Sequence, residues 1–122
     1  MKKILVLLTF LIFTNSFAVE KVTNFDQKIF KQAQADGKVV VVSSWIKYCG
    51  SCASQMKVLE KAESEFDNVL YLSFEVTNKK IADSLKVQYQ TTLLIFKNNK
   101  EIYRSIGETT KEEIYKAIKS SI

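Results

Sequence analysis

The sequence predicts one α/β domain, a central mixed β-sheet flanked by helices in the order β-α-β-α-β-α-β-β-α. Three observations carry this. Apolar periodicity switches repeatedly between strand and helix spacing from residue 19 to 122. The unbroken run Val39-Val40-Val41-Val42 is the pattern of a strand buried on both faces, as in the middle of a parallel or mixed sheet. Near the C-terminus, two apolar strands flank Asn98-Asn99, and asparagine tolerates the positive φ of a tight hairpin turn.

The chain has 122 residues, 47% apolar and 25% charged, which suits a single folded core and argues against disorder. Its first residues are expected to lie outside that core. Lys2 and Lys3 form a positive start, residues 4–13 an apolar run broken only by Thr9, and Ser16-Phe17-Ala18 a small-x-small cleavage site. This pattern predicts a secretory signal peptide over 1–18, cut after Ala18, and a domain over 19–122. The apolar run is about half the ~20 residues that a spanning helix requires, so no membrane anchor is expected after cleavage. With no cysteine at the cleavage point, lipid attachment there is not expected either.

Within the domain, residues 19–22 read as a short edge strand. Residues 23–36 read as a helix with Phe25, Ile29, Phe30 and Ala33 on one face, a Thr23–Asp26 capping box and Gly37 as its stop. Residues 38–44 form the buried strand. From 49 to 66 the period is helical, with Cys52, Met56, Leu59, Ala62 and Phe66 on one stripe and Lys57, Glu60, Lys61 and Glu65 outside. Residues 69–76 form the next strand, with Leu70, Leu72, Phe74 and Val76 on one face. Asn78 caps a short helix to residue 86. Strands 92–96 and 101–106 make the hairpin. Thr109 with Glu112 opens a last helix whose apolar face is Ile114, Tyr115, Ala117 and Ile118. The result is two right-handed crossovers and a closing hairpin, with no repeats or linkers.

Removing Lys2 and Lys3 takes the basic count from 18 to 16 against 13 acidic residues, so a net charge of +5 becomes +3. The lysines are scattered rather than striped, which is a solvated surface and not a nucleic-acid footprint.

The only two cysteines, Cys49 and Cys52, stand two residues apart between the buried strand and the helix that follows. Three chemistries can use such a pair. A structural disulfide closing so short a loop removes little unfolded-state entropy. A zinc site wants about four ligands, and the chain offers two cysteines and no histidine; two thiolates alone could still hold Cu(I). Redox chemistry fits better. At the start of a helix, free backbone N–H groups and the helix dipole favour a thiolate on Cys49. Cys52, one turn in on the buried stripe, should keep its proton longer. Cys49 would then attack a substrate disulfide and Cys52 resolve the mixed disulfide. Export would place both thiols where disulfides persist.

The stretches VVVVSSWIKYCGSC and TTLLIFKNNKEIYRSIG, with the helix between them, resemble the thioredoxin superfamily over essentially the whole domain. Trp45, Tyr48, Cys49, Gly50 and Cys52 match its motif. The resemblance implies a thioredoxin fold and disulfide exchange with protein substrates. It implies no organic cofactor and no metal, because the redox equivalents are the cysteines themselves. It places a shallow substrate groove at Tyr48, Gly50, Gln90, Thr91, Ile106 and Gly107, with Trp45 and Ser43 as structural support; Ile106 is equally compatible with the core.

Four positions depart from the family pattern. Ser51 stands where cytosolic members have proline, and Lys57 stands near the usual helix-kinking proline. Thr91 replaces the proline of the cis-proline loop, and a trans peptide is expected before it, since a non-proline cis bond costs ~3 kcal/mol. Ser43 replaces the buried carboxylate beneath the second cysteine, and Ser73 the lysine opposite. Glu75 is a candidate substitute for that carboxylate, though an ordinary strand-end role is the simpler reading. The small, insertion-free domain points towards a monomeric periplasmic reductase kept reduced by a membrane redox partner. The competing expectation is a copper-binding or thiol-carrying accessory protein.

Overall fold

The computed structural model describes residues 23–122, so the expected signal peptide and the expected strand at 19–22 lie outside the described residues. Five strands form one sheet in the order β1-β3-β2-β4-β5. They are β1 (Thr23–Asn24), β2 (Val39–Trp45), β3 (Val69–Glu75), β4 (Thr92–Lys97) and β5 (Lys100–Ile106). β1 and β2 run parallel to β3, whereas β4 is antiparallel to β2 and β5 to β4. The helices are α1 (Gln27–Ala35), α2 (Gly50–Glu65), α3 (Lys79–Leu85) and α4 (Lys111–Ser121). The predicted element order and the thioredoxin fold are both present.

Alternation along β2 divides the core. Val39 and Val41 pack with Leu59, Ala62, Ile114 and Ile118, the layer of α2 and α4. Val40 and Val42 pack with Phe30, Ala33, Ala82 and Leu85, the layer of α1 and α3. The first six residues of β2 are buried, as an all-valine central strand should be. Asn98 and Asn99 both take positive φ (52° and 62°), the backbone of a two-residue hairpin turn.

Two helix starts differ from expectation. Residues 23 and 24 are strand rather than helix, and Phe25 N–H extends their pairing to Ser73 O at 2.7 Å. The Thr23–Asp26 box does not form. Asp26 is itself the N-cap, its carboxylate accepting from Lys28 N (2.8 Å) and Ile29 N (3.1 Å). Ile29 is therefore 43% exposed, and Gln34 joins Phe30 and Ala33 on the buried face. At α4 the N-cap is Thr110, not Thr109, and its side chain caps nothing in the helix. The carboxylate of Glu108 instead accepts from Thr110 N (2.9 Å) and Thr110 Oγ1 (2.6 Å). These bonds hold the Glu108 carboxyl below its ordinary range. Asn78 caps α3 as predicted, accepting from Ile81 N at 3.3 Å.

Candidate active site

The central position of β2 sets the place of the chemistry. Its C-terminal end carries Trp45, and the loop from there turns directly into α2, whose N-cap is Cys49. Cys49 and Cys52 form a disulfide with Cα atoms 5.3 Å apart, inside the usual range. The two sulfurs are unequal. Cys49 is half-buried at the helix start and its Sγ accepts from Cys52 N at 3.2 Å, whereas Cys52 lies on the buried stripe, 6% exposed. Tyr48 is fully exposed, with φ at 60°.

Thr91 is the residue that closes over both sulfurs. It precedes β4, is 2% exposed and takes φ of 58°, a left-handed backbone uncommon for a β-branched residue. The peptide before it is trans, as expected, since no cis bond occurs among the described residues. Several contacts fix it. Its N–H donates to Ser44 O (2.8 Å), and its O accepts from Gly107 N (2.9 Å) and Gln55 Nε2 (3.3 Å). Its Oγ1 lies 3.2 Å from Cys52 Sγ, 3.7 Å from Cys49 Sγ and 2.8 Å from Ser51 Oγ, which is itself 3.4 Å from Cys49 Sγ. In the disulfide the sulfurs carry no proton, so the hydroxyls are the donors.

The other sequence-predicted residues divide into two flanks. Tyr48 and Gly50 line a groove of about 530 Å³ beside the disulfide. Gln90, Ile106 and Gly107 lie on the Thr91 side, through the Thr92–Ile106 pairing and the Gly107–Thr91 bond. Ile106 is 61% exposed and so is not a core residue. Ser43 is buried and pairs with Ser73, as the expected register required, yet its Oγ meets no protein hydrogen-bond partner among the described residues. The Glu75 carboxylate accepts from Thr77 Oγ1 at 2.9 Å, the local bond of a strand-end residue.

Sequence reasoning missed Gln55. It is 1% exposed and donates from Nε2 to Thr91 O and to Glu108 O (2.8 Å), tying α2 to two loops at once. The stripe was expected to continue through Met56, which is only half-buried; a polar residue one turn beyond Cys52 and one before Leu59 was the available signal. Ser44 was missed too. Its Oγ donates to Tyr89 O (2.8 Å) and accepts from Thr92 N (3.0 Å), which fastens the Thr91 loop to β2. Trp45, Ile46, Ala53 and Met56 add apolar lining to the groove.

The chain that builds this disulfide at the start of α2, on a sheet of this topology, is matched by the Thioredoxin family model over residues 16–120. The chain belongs to the thioredoxin family. It is similar to the thioredoxin of Chlamydia trachomatis, with 30% identity covering 75% of this chain and 90% of the relative. The thioredoxin of Staphylococcus saprophyticus is 29% identical, covering 86% of this chain and 99% of its own. Among solved structures, Trxlp of Edwardsiella tarda superimposes with a TM-score of 0.70 at 29% identity, over 79% of this chain and 96% of that one. The thioredoxin of Malassezia sympodialis gives a TM-score of 0.70 at 27% identity, over 82% and 90%. This thioredoxin is a thiol–disulfide oxidoreductase that works through the Cys49–Cys52 pair on protein disulfides. Among its described residues no helix is long and apolar enough to cross a membrane.

Proposed function

We propose that this thioredoxin is exported to the periplasm after cleavage behind Ala18 and there reduces protein disulfides, acting as a monomer kept reduced by a membrane redox partner. Cys49 is the nucleophile and Cys52 resolves the mixed disulfide. The supporting observation is the inequality of the two sulfurs: Cys49 is reachable and receives a backbone N–H, while Cys52 is buried behind it. Tyr48 and Gly50 on one flank and Gln90, Thr91, Ile106 and Gly107 on the other hold the substrate chain across Cys49. Thr91 offers one further backbone group to a substrate only through its neighbour Gln90, because its own N–H and O are already bonded within the protein. Export is supported by the charge, apolar run and cleavage pattern of residues 1–18.

Trapping tests the roles. The Cys52→Ser variant should accumulate mixed disulfides with substrate proteins and Cys49→Ser should not; the reverse pattern would refute the assignment. Direction is read from the reduction potential. A value near −270 mV, that of thioredoxin itself, marks a reductant, and one near −120 mV would refute the reductase reading.

A further inference from the structure

Resolution of a mixed disulfide requires Cys52 to lose a proton while it is nine-tenths buried. The chain has no histidine, and apart from the Cys49 sulfur the one side-chain group within hydrogen-bond reach of Cys52 Sγ among the described residues is the hydroxyl of Thr91. Ser43, on the neighbouring strand, carries no charge, and Glu75 is engaged by Thr77. Thr91 Oγ1 does not end the chain of contacts. It lies 2.8 Å from Ser51 Oγ, and Ser51 is exposed. Two short steps therefore lead from a buried sulfur to water.

We propose that the Thr91 and Ser51 hydroxyls form the proton path of the resolving cysteine. The inference rests on the assignment of Cys49 as nucleophile and Cys52 as resolver. With Cys49 joined to a substrate sulfur, the Cys52 thiol passes its proton to Thr91 Oγ1. Thr91 passes its own proton to Ser51 Oγ, and Ser51 passes one to water. The freed electron pair on Cys52 Sγ attacks Cys49 Sγ, so the Sγ–Sγ bond forms as the bond from Cys49 to the substrate sulfur breaks. The substrate leaves as a thiolate and takes a proton from water. The protein dithiol is thereby oxidised, the substrate disulfide is reduced, and rotation of the two hydroxyls restores the path. A hydroxyl need never ionise in such a relay, because it accepts one proton as it donates another. Burial of Thr91 and its fixed backbone keep the inner step aligned.

Rapid mixing of the reduced protein with excess 5,5′-dithiobis-(2-nitrobenzoate) separates the two chemical steps, since attack by Cys49 and resolution by Cys52 each release one coloured thiolate. Thr91→Val should leave a first phase and slow the second about a hundred-fold, the lower end of the range for positioned proton transfer. Its pH profile should shift upward and its solvent deuterium isotope effect should change. Thr91→Ser, which keeps the hydroxyl, should stay within about three-fold of wild type. Ser51→Ala alters an exposed residue, so its folding is not at issue, and it should slow the second phase with the same pH shift. A second phase in either Thr91→Val or Ser51→Ala with wild-type rate and pH profile would overturn the proposal. So would a Thr91→Ser variant as slow as Thr91→Val, because packing and not the hydroxyl would then be responsible. Failure of the underlying assignment looks different: the first phase would survive in Cys49→Ser and vanish in Cys52→Ser.

Discussion

Replacing Gln55 with leucine should separate the stability of the site from its chemistry. The side chain is buried and its amide makes two hydrogen bonds, 2.8 Å to Glu108 O and 3.3 Å to Thr91 O. Leucine fills a similar volume, so no large cavity opens and the cost is mainly polar. Thr91 O keeps Gly107 N–H at 2.9 Å and is not orphaned, and the bond it loses is a long one worth ~0.5 kcal/mol. Glu108 O loses a well-formed partner, a loss of ~1 to 2 kcal/mol if the carbonyl stays away from water. The net expectation is about 2 kcal/mol, or a fall in Tm of roughly 10 °C for a domain of this size. Urea unfolding of the oxidised protein reads this as a lower midpoint with an unchanged slope. Gln55→Glu supplies the sign test. A carboxylate facing two carbonyls has its pKa raised in the folded protein, so the variant is least destabilised at acid pH and loses stability as pH rises through that value. If Gln55→Leu melted within about 2 °C of wild type, the tether would not be holding the Thr91 loop.

Ser43→Ala removes a buried hydroxyl without a protein partner and should stabilise the fold by about 1 kcal/mol; a comparable loss of stability in urea would mean the hydroxyl is satisfied. Asp26→Ala deletes the α1 cap and should cost ~1 kcal/mol, seen as a Tm about 4 to 8 °C lower, while the same change at Thr23 should be nearly neutral. Thr110→Val removes the hydroxyl that most strongly holds the Glu108 carboxyl below its ordinary range. A depressed folded-state pKa contributes stability above the unfolded value of about 4.3, lost as pH falls through the folded one. The Tm gap between wild type and Thr110→Val should therefore be present at neutral pH and close in acid, and a gap that persists there would refute the assignment.

The parts legible in the sequence were those that period and turn chemistry determine locally. Four valines in a row announced a two-sided strand, two asparagines a hairpin, and a cysteine pair behind them a helix start. The misses at the two helix starts come from neighbouring polar residues that each offer a local backbone bond, a choice that longer-range pairing decides. Thr23 and Asp26 both suit an N-cap, and pairing of residues 23 and 24 with β3 decided for Asp26. At α4, Glu108 took the Thr110 amide that a Thr109 cap would have left free. Gln55 was hidden for another reason. A buried glutamine is tolerated only where distant carbonyls come to meet it, and contacts 36 and 53 residues away leave no trace in local spacing.

The order β1-β3-β2-β4-β5 also has a consequence for motion. Local opening begins at sheet edges and reaches inner strands only in the largest fluctuations. Cys49 is carried by β2 and Thr91 by β4, neighbours in the interior of the sheet, whereas β1 and β5 form its margins. The amides of residues 40–43 and 93–95 should accordingly exchange with solvent last. Fraying at β1 then leaves the spacing between sulfur and hydroxyl intact, whereas opening at β5 frees the Gly107 amide from Thr91 O and loosens the hydroxyl first.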